Sequence, residues 1–387
     1  MAEHTFLVSA AVVIGIFGGL GAVLFRLLIK GAQRVSWGEW SFSLDLARAH
    51  PWWWVALAPA VGGLVVGPMV YFLAREAKGH GVPEVMEAVA LRGGVLRPRV
   101  VVVKSLASAV CIGTGGSVGR EGPIVQIGSA LGSTLGQLLR LSGRRLRTLV
   151  GCGAAAGIAA TFNAPIAGAL FAVEIILGDF GVSQFSPIVI SSVLATVVSR
   201  HYLGNFPAFQ VPEYQLVSPW ELPLYALLGL VAAGVALAFI RFLYGLEDLF
   251  EAVPLPPWTL APIGGLMVGA LGITYPQVFG VGYEAIEAAL RNETAVGLML
   301  MLLVLKLVAT SVTIGSGGSG GVFAPSLFIG AMAGGAVGAL ANQVMPELTA
   351  SPGAYALVGM GAVVAGATHA PLTAIVIIFE LTSDYKL

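Results

Sequence analysis

Two short stretches carry the residues whose types and spacing suggest chemistry. Gly-Arg-Glu-Gly-Pro (119–123) sets Arg120 and Glu121 between Gly119 and Gly122, inside glycine-rich and otherwise apolar chain. Gly-Val-Phe-Ala-Pro (321–325) has the same form without the charges. Each is a glycine-rich turn that runs into a proline and then an apolar segment. Proline fits a first helical turn, where its missing N–H costs nothing. Glycine lets backbone come close to a ligand. The free N–H groups of a helix start, and the positive end of its dipole, attract an anion. Two such starts converging on one point would make an anion site without a fixed positive charge. A lysine fixed there would hold a halide too tightly for conduction.

The same residues admit another chemistry. Gly-Gly-Ser-Val-Gly (115–119) and Gly-Gly-Ser-Gly-Gly (317–321) both fit the Gly-X-Ser-X-Gly turn of serine hydrolases, with His80 or His369 as base. A chain with 52 glycines meets that pattern easily, and its duplication points to a structural cause.

The elements that must position these residues are membrane helices. The chain has 387 residues, 57% hydrophobic and 10% charged, too apolar for a soluble domain. Phe6–Ile29, Trp52–Leu73, Leu222–Leu243 and Val296–Val312 are each long enough to cross a bilayer, which needs about 20 apolar residues. The N-terminal Met-Ala-Glu-His-Thr-Phe has no basic segment, so the first helix is expected to be retained. A net charge of zero suggests no polyanionic partner, nucleic acid included. Cys111 and Cys152 both lie in apolar segments and read as small buried hydrophobes. No metal pair, disulfide framework or cofactor motif is visible.

The chain also repeats itself. Residues 113–128 align with 315–330 at an offset of 202, with eight of sixteen positions identical, and Lys104 falls on Lys306. Glu84 and Glu87 match Glu284 and Glu287, while Pro165 and Glu174 match Pro371 and Glu380. This predicts two halves, 1–200 and 220–387, joined by a linker over 201–219. Arg92, Arg97 and Arg99 crowd one first-half loop, and Arg140, Arg144, Arg145 and Arg147 another; their second-half counterparts hold one arginine and two glutamates. Cytoplasmic loops collect Lys and Arg, so the repeats are expected to be inverted. Arg26, Lys30 and Arg34, which follow the first apolar run, point the other way. Inverted-repeat transport proteins bind their substrate near the midplane, at broken helices.

With these motifs in order, the sequence resembles the CLC family of chloride channels and proton-coupled anion antiporters over nearly its whole length. Gly-His-Gly-Val-Pro (79–83) resembles the first family signature, usually Gly-Ser-Gly-Ile-Pro; Gly-Arg-Glu-Gly-Pro is the second, unaltered; Gly-Val-Phe-Ala-Pro is the third. The resemblance implies an all-α, polytopic membrane fold of tilted and broken helices, and a homodimer with one anion pathway per subunit. It implies no enzyme. It makes Glu121 the gate, whose carboxylate occupies an anion site when charged and swings aside when protonated. The Val322 and Phe323 amides become donors to the central anion. Gly79, His80 and Gly81 line the inner site, beside Gly119, Arg120 and Gly122. Lys104 matches a buried lysine near the gate, although a lysine snorkelling from a helix end would read the same. Glu174 and Lys104 are candidates for a proton path. The expected partners are chloride or a similar anion, protons and membrane lipid, in the plasma or inner membrane of a prokaryote. An intact Gly-Arg-Glu-Gly-Pro favours chloride-like halides over fluoride.

Three departures bear on mechanism. His80 stands where the family usually has a serine that donates to the anion. Ile175 stands where family antiporters often carry a proton-relay glutamate, which leaves exchange and passive conduction both open, exchange slightly favoured. The family continues with about two more helices, the last bearing an anion-contacting tyrosine, whereas this sequence ends at Glu-Leu-Thr-Ser-Asp-Tyr-Lys-Leu. Tyr385 precedes those helices and is not that residue. Either the sequence is cut short, or the inner pathway is closed differently and is more open.

Overall fold

The computed structural model describes residues 2–205, 209, 212, 214 and 216–382. Tyr385 and several residues of the expected linker lie outside them. The first half holds α1 (Ala2–Trp37), α2 (Leu44–Ala49), α3 (Trp52–Pro68), α4 (Val82–Leu91), α5 (Arg99–Gly113), α6 (Glu121–Leu138), α7 (Arg144–Phe162), α8 (Pro165–Phe171) and α9 (Val182–Leu203). The second holds α10 (Leu222–Glu251), α11 (Leu260–Thr274), α12 (Tyr283–Leu290), α13 (Val296–Gly315), α14 (Phe323–Val344), α15 (Pro352–Thr368) and α16 (Pro371–Thr382). Among the described residues, extended pairing is limited to two isolated bridges. Helix α9 runs to Leu203, into the span expected as linker.

Six helical segments are long and apolar enough to cross a membrane: Thr5–Trp37, Trp52–Leu73, Pro219–Glu251, Pro257–Thr274, Val296–Gly315 and Phe323–Val344. The chain is an integral, multi-pass membrane protein. Four of these spans contain the apolar runs visible in the sequence. The other two are diluted by glycine and alanine, which pack helices together in lipid rather than raise hydropathy. Glycine pairs let backbones touch: a Cβ on Gly153 of α7 would lie 1.9 Å from the Gly128 carbonyl of α6, and one on Gly330 of α14 would lie 2.4 Å from the Gly359 carbonyl of α15. The same contact is thus made once in each half.

The loops that carry the two arginine clusters share one face. Ser133 Oγ accepts from the Leu96 amide at 2.9 Å and donates to the Gly94 carbonyl at 2.7 Å, and Gln137 Nε2 donates to the Leu96 carbonyl at 2.8 Å. Arg26 and Lys30 lie within α1, where they line a cavity rather than form a loop, while Arg34 stands in the last turn of that helix. For Arg26 and Lys30 the contrary signal has a local cause, since they sit inside the span and not in a flanking loop; Arg34, at the helix end, still points the other way.

Candidate functional site

The site forms where the two halves meet. Helices α5 and α13 each end in a glycine turn, and the chain re-enters as α6 and α14. The Gly119 amide donates to the Gly321 carbonyl at 2.7 Å, and the Gly321 amide donates to the Gly119 carbonyl at 2.6 Å. This reciprocal pair sets the N-termini of α6 and α14 side by side, with their unpaired amides and dipole ends together. Neither turn tolerates a larger residue. A Cβ on Gly122 would lie 2.1 Å from the His80 carbonyl oxygen and 2.9 Å from Gly321 Cα.

Glu121 opens α6 and is 1% exposed. Its Oε1 accepts from the Tyr283 hydroxyl at 3.2 Å and lies 4.0 Å from Arg120 Nε. Its Oε2 has no hydrogen-bond partner among the described residues. The Arg120 guanidinium stacks over the Tyr283 ring, 5.4 Å from its centroid. Tyr283 belongs to neither glycine motif, so sequence reasoning missed it; it is the first residue of α12, just after the second-half turn that corresponds to 79–81.

Two cavities border this point. One, of about 260 Å³, is lined by Arg26, Lys30, Arg120, Tyr283 and Glu284 among others, three cations against one carboxylate. The other, of about 450 Å³, is lined by His80, Glu121, Gly122, Val322 and Phe323, with Ile175, Tyr244 and His369 further along. Arg120 lines the first and Glu121 the second, so adjacent residues belong to different cavities. Asp179, just past Ile175, pairs with Arg144 at 3.8 Å, which places that wall of the larger cavity by the arginine-bearing face.

The three family-like motifs therefore come together as their spacing suggests. Gly79 bridges to Ser319, and Gly81 caps α4 with φ +84°, a conformation that favours glycine. Lys104 is fully buried and donates to the Ala77 carbonyl at 3.1 Å and the Gly79 carbonyl at 2.8 Å. It is not a snorkelling lysine; it ties down the turn that carries His80. Lys306 does the same for the other half, donating to Val278 at 3.0 Å and Gly280 at 2.7 Å. The Glu174 carboxylate is engaged by amides at the α16 N-terminus. Neither Lys104 nor Glu174 lines the larger cavity.

The hydrolase alternative does not survive the geometry. Ser117 and Ser319 are both 0% exposed. Ser117 Oγ pairs with Thr310 Oγ1 at 3.3 Å, and Ser319 Oγ pairs with Ser108 Oγ at 2.9 Å and donates to the Ala77 carbonyl at 2.8 Å. Their hydroxyls stitch each half's glycine turn to the long helix of the other, and among the described residues no imidazole hydrogen-bonds them.

The voltage gated chloride channel family model matches residues 62–387. A ClcB-like protein of Ralstonia nicotianae is 37% identical over 384 residues, covering 98% of this chain and 90% of the relative. The H(+)/Cl(-) exchange transporter ClcA of Salmonella arizonae is 33% identical over 389 residues, covering 97% of this chain and 81% of the transporter. The crystal structure of a slow cyanobacterial Cl-/H+ antiporter superposes with a TM-score of 0.89 at 24% identity, covering 98% of this chain and 90% of the antiporter.

Proposed function

The chain belongs to the voltage gated chloride channel family, and we propose that it moves chloride across the membrane in exchange for protons, with Glu121 as the group that serves both. One observation carries this reading: a buried carboxylate at paired helix N-termini, bordered by two cavities. A charged carboxylate there stands in for the anion. Protonated, it loses its attraction for the amides and leaves the position to chloride. One site thus alternates between a proton and an anion, which is the requirement for exchange.

In this reading the cationic cavity gathers chloride, and Arg120 holds it at the entrance. The amides of Val322 and Phe323 and the turn from Gly79 to Gly81 receive it next, and Lys104 keeps that turn in place. The ClcA transporter, whose name specifies proton/chloride exchange, aligns with nearly the whole chain. We further propose a homodimer with a separate pathway in each subunit. Passive conduction is the rival, and the apolar Ile175 on the cavity wall favours it.

The test is the reversal potential of the reconstituted protein under a pH gradient. A reversal potential that shifts with the pH gradient at fixed chloride supports exchange; one that follows chloride alone shows a channel. Liposomes that release chloride no faster than empty ones, with folded protein present, would overturn the transport reading.

A further inference from the structure

A proton bound for Glu121 must cross the larger cavity, whose wall at position 175 is isoleucine. Among the residues that line it, two carry an imidazole, which can bind a proton on one ring nitrogen and release one from the other: His80 and His369. No described residue hydrogen-bonds either imidazole. The two stand at different depths. His369, between α15 and α16, is exposed; His80, at the entrance to α4, is half-buried; Glu121, at the end of the cavity, is buried. The remaining lining is largely apolar: Val82, Pro83, Met86, Ile158 and Phe171. The cavity has room for several water molecules at about 30 Å³ each, enough to join groups that do not touch.

We propose that His369 and His80 relay the proton between the solution on the arginine-bearing face and Glu121, in place of a carboxylate at position 175. The proposal rests on the exchange reading above. His369 takes a proton from solution on one ring nitrogen and passes it, directly or through cavity water, to His80. His80 binds that proton on one nitrogen and releases its other N–H proton to the Glu121 carboxylate. A flip of the neutral ring restores the starting tautomer, and one proton has moved with no other bond changed. The charged groups around the relay are few. Lys104 of α5 faces His80; Tyr244 of α10 and Glu121 of α6 share the lining; Glu174 sits on the α16 N-terminus that follows His369.

His369→Asn tests this without disturbing the backbone. His369 has φ +56°, and Asn163, at the corresponding helix end of the first half, has φ +60°. Asparagine adopts that conformation readily. In liposomes with a chloride gradient, proton uptake read by a pH-sensitive dye is expected to fall at least about tenfold, while chloride release falls by less than about threefold, as for loss of a proton-transfer group. Adding Ile175→Glu to the same protein is expected to restore proton uptake. A wild-type proton-to-chloride ratio in His369→Asn overturns the relay. So does a chloride flux that collapses together with the proton flux in a protein that elutes as wild type, because His369 then belongs to the anion path. A wild-type protein that moves chloride and no protons defeats the exchange reading itself, and that result appears before any variant is made.

Discussion

The Glu174 carboxylate sits on the N-terminus of α16, accepting from the Leu372 amide at 3.1 Å and the Thr373 amide at 2.7 Å. Glu380, on α16, returns the contact: it accepts from the Ile166 amide at 3.1 Å and the Ala167 amide at 2.7 Å, at the N-terminus of α8. Each half thus closes a helix start of the other with its own glutamate. Amides at a helix start need acceptors, and a negative charge there also complements the dipole.

This reciprocity gives the Glu174 carboxylate a structural partner, and we propose that it carries no proton. Glu174→Ala should lower stability by about 1 kcal/mol, the usual cost of losing an N-terminal cap. It should leave the proton-to-chloride ratio intact. A thermal melt in detergent reads the first effect, and paired proton and chloride fluxes read the second. A stable variant that has lost proton movement would return Glu174 to the proton path.

Glu121→Gln should remove the pH dependence of transport and its coupling to protons together. The amide cannot titrate or compete as an anion. Stability should change little or rise, since an ionised carboxylate is costly inside a membrane. Chloride flux measured across a pH series is the readout, and a profile that still bends with pH would take the gate away from Glu121.

Much of this site was legible because its parts are local. A glycine turn followed by proline is a helix start wherever it falls, so 119–123 and 321–325 declared themselves. The duplication then supplied the idea that they converge. What stayed hidden was contact between distant residues without a motif. Tyr283 reaches Glu121 from another helix and looks like an ordinary aromatic in sequence. Lys306 was visible only as the partner of Lys104, and neither showed that it binds carbonyls. Arg26 and Lys30 read with Arg34 as a flank of the first helix, yet α1 is longer than its apolar run and holds the first two inside it. Serines 117 and 319 mimicked a nucleophile for the same reason that they matter structurally: a small hydroxyl fits between two crowded backbones.

The two lysines give a prediction about symmetry. Each donates to two buried carbonyls in the turn before α4 or α12. Replacing Lys104 or Lys306 by Met leaves two acceptors without a donor, at about 1–3 kcal/mol for each. Both variants should melt earlier by similar amounts. Their transport should differ, because only the turn held by Lys104 carries His80 and borders the larger cavity. Equal loss of chloride flux in the two would show that both turns act only through overall stability.

Tyr283→Phe isolates the latch on the gate. The phenol holds Glu121 Oε1 at 3.2 Å and carries the Arg120 guanidinium on its ring. Phenylalanine keeps the ring, and with it the stacking, and removes only the O–H donor. A hydrogen bond to a charged group contributes about 1.5–3 kcal/mol, so its loss should make departure of the charged carboxylate roughly tenfold easier or more. Chloride flux should therefore rise most at alkaline pH, where the carboxylate is charged and the wild-type gate is shut. At acid pH the gate is already released by protonation, and the two proteins should converge. Flux assays at both extremes, with Glu121→Gln/Tyr283→Phe as control, decide the matter. In that control the carboxylate is absent, so Tyr283→Phe should add nothing. If it speeds chloride movement equally with and without Glu121, the tyrosine acts on the pathway itself and not through the gate.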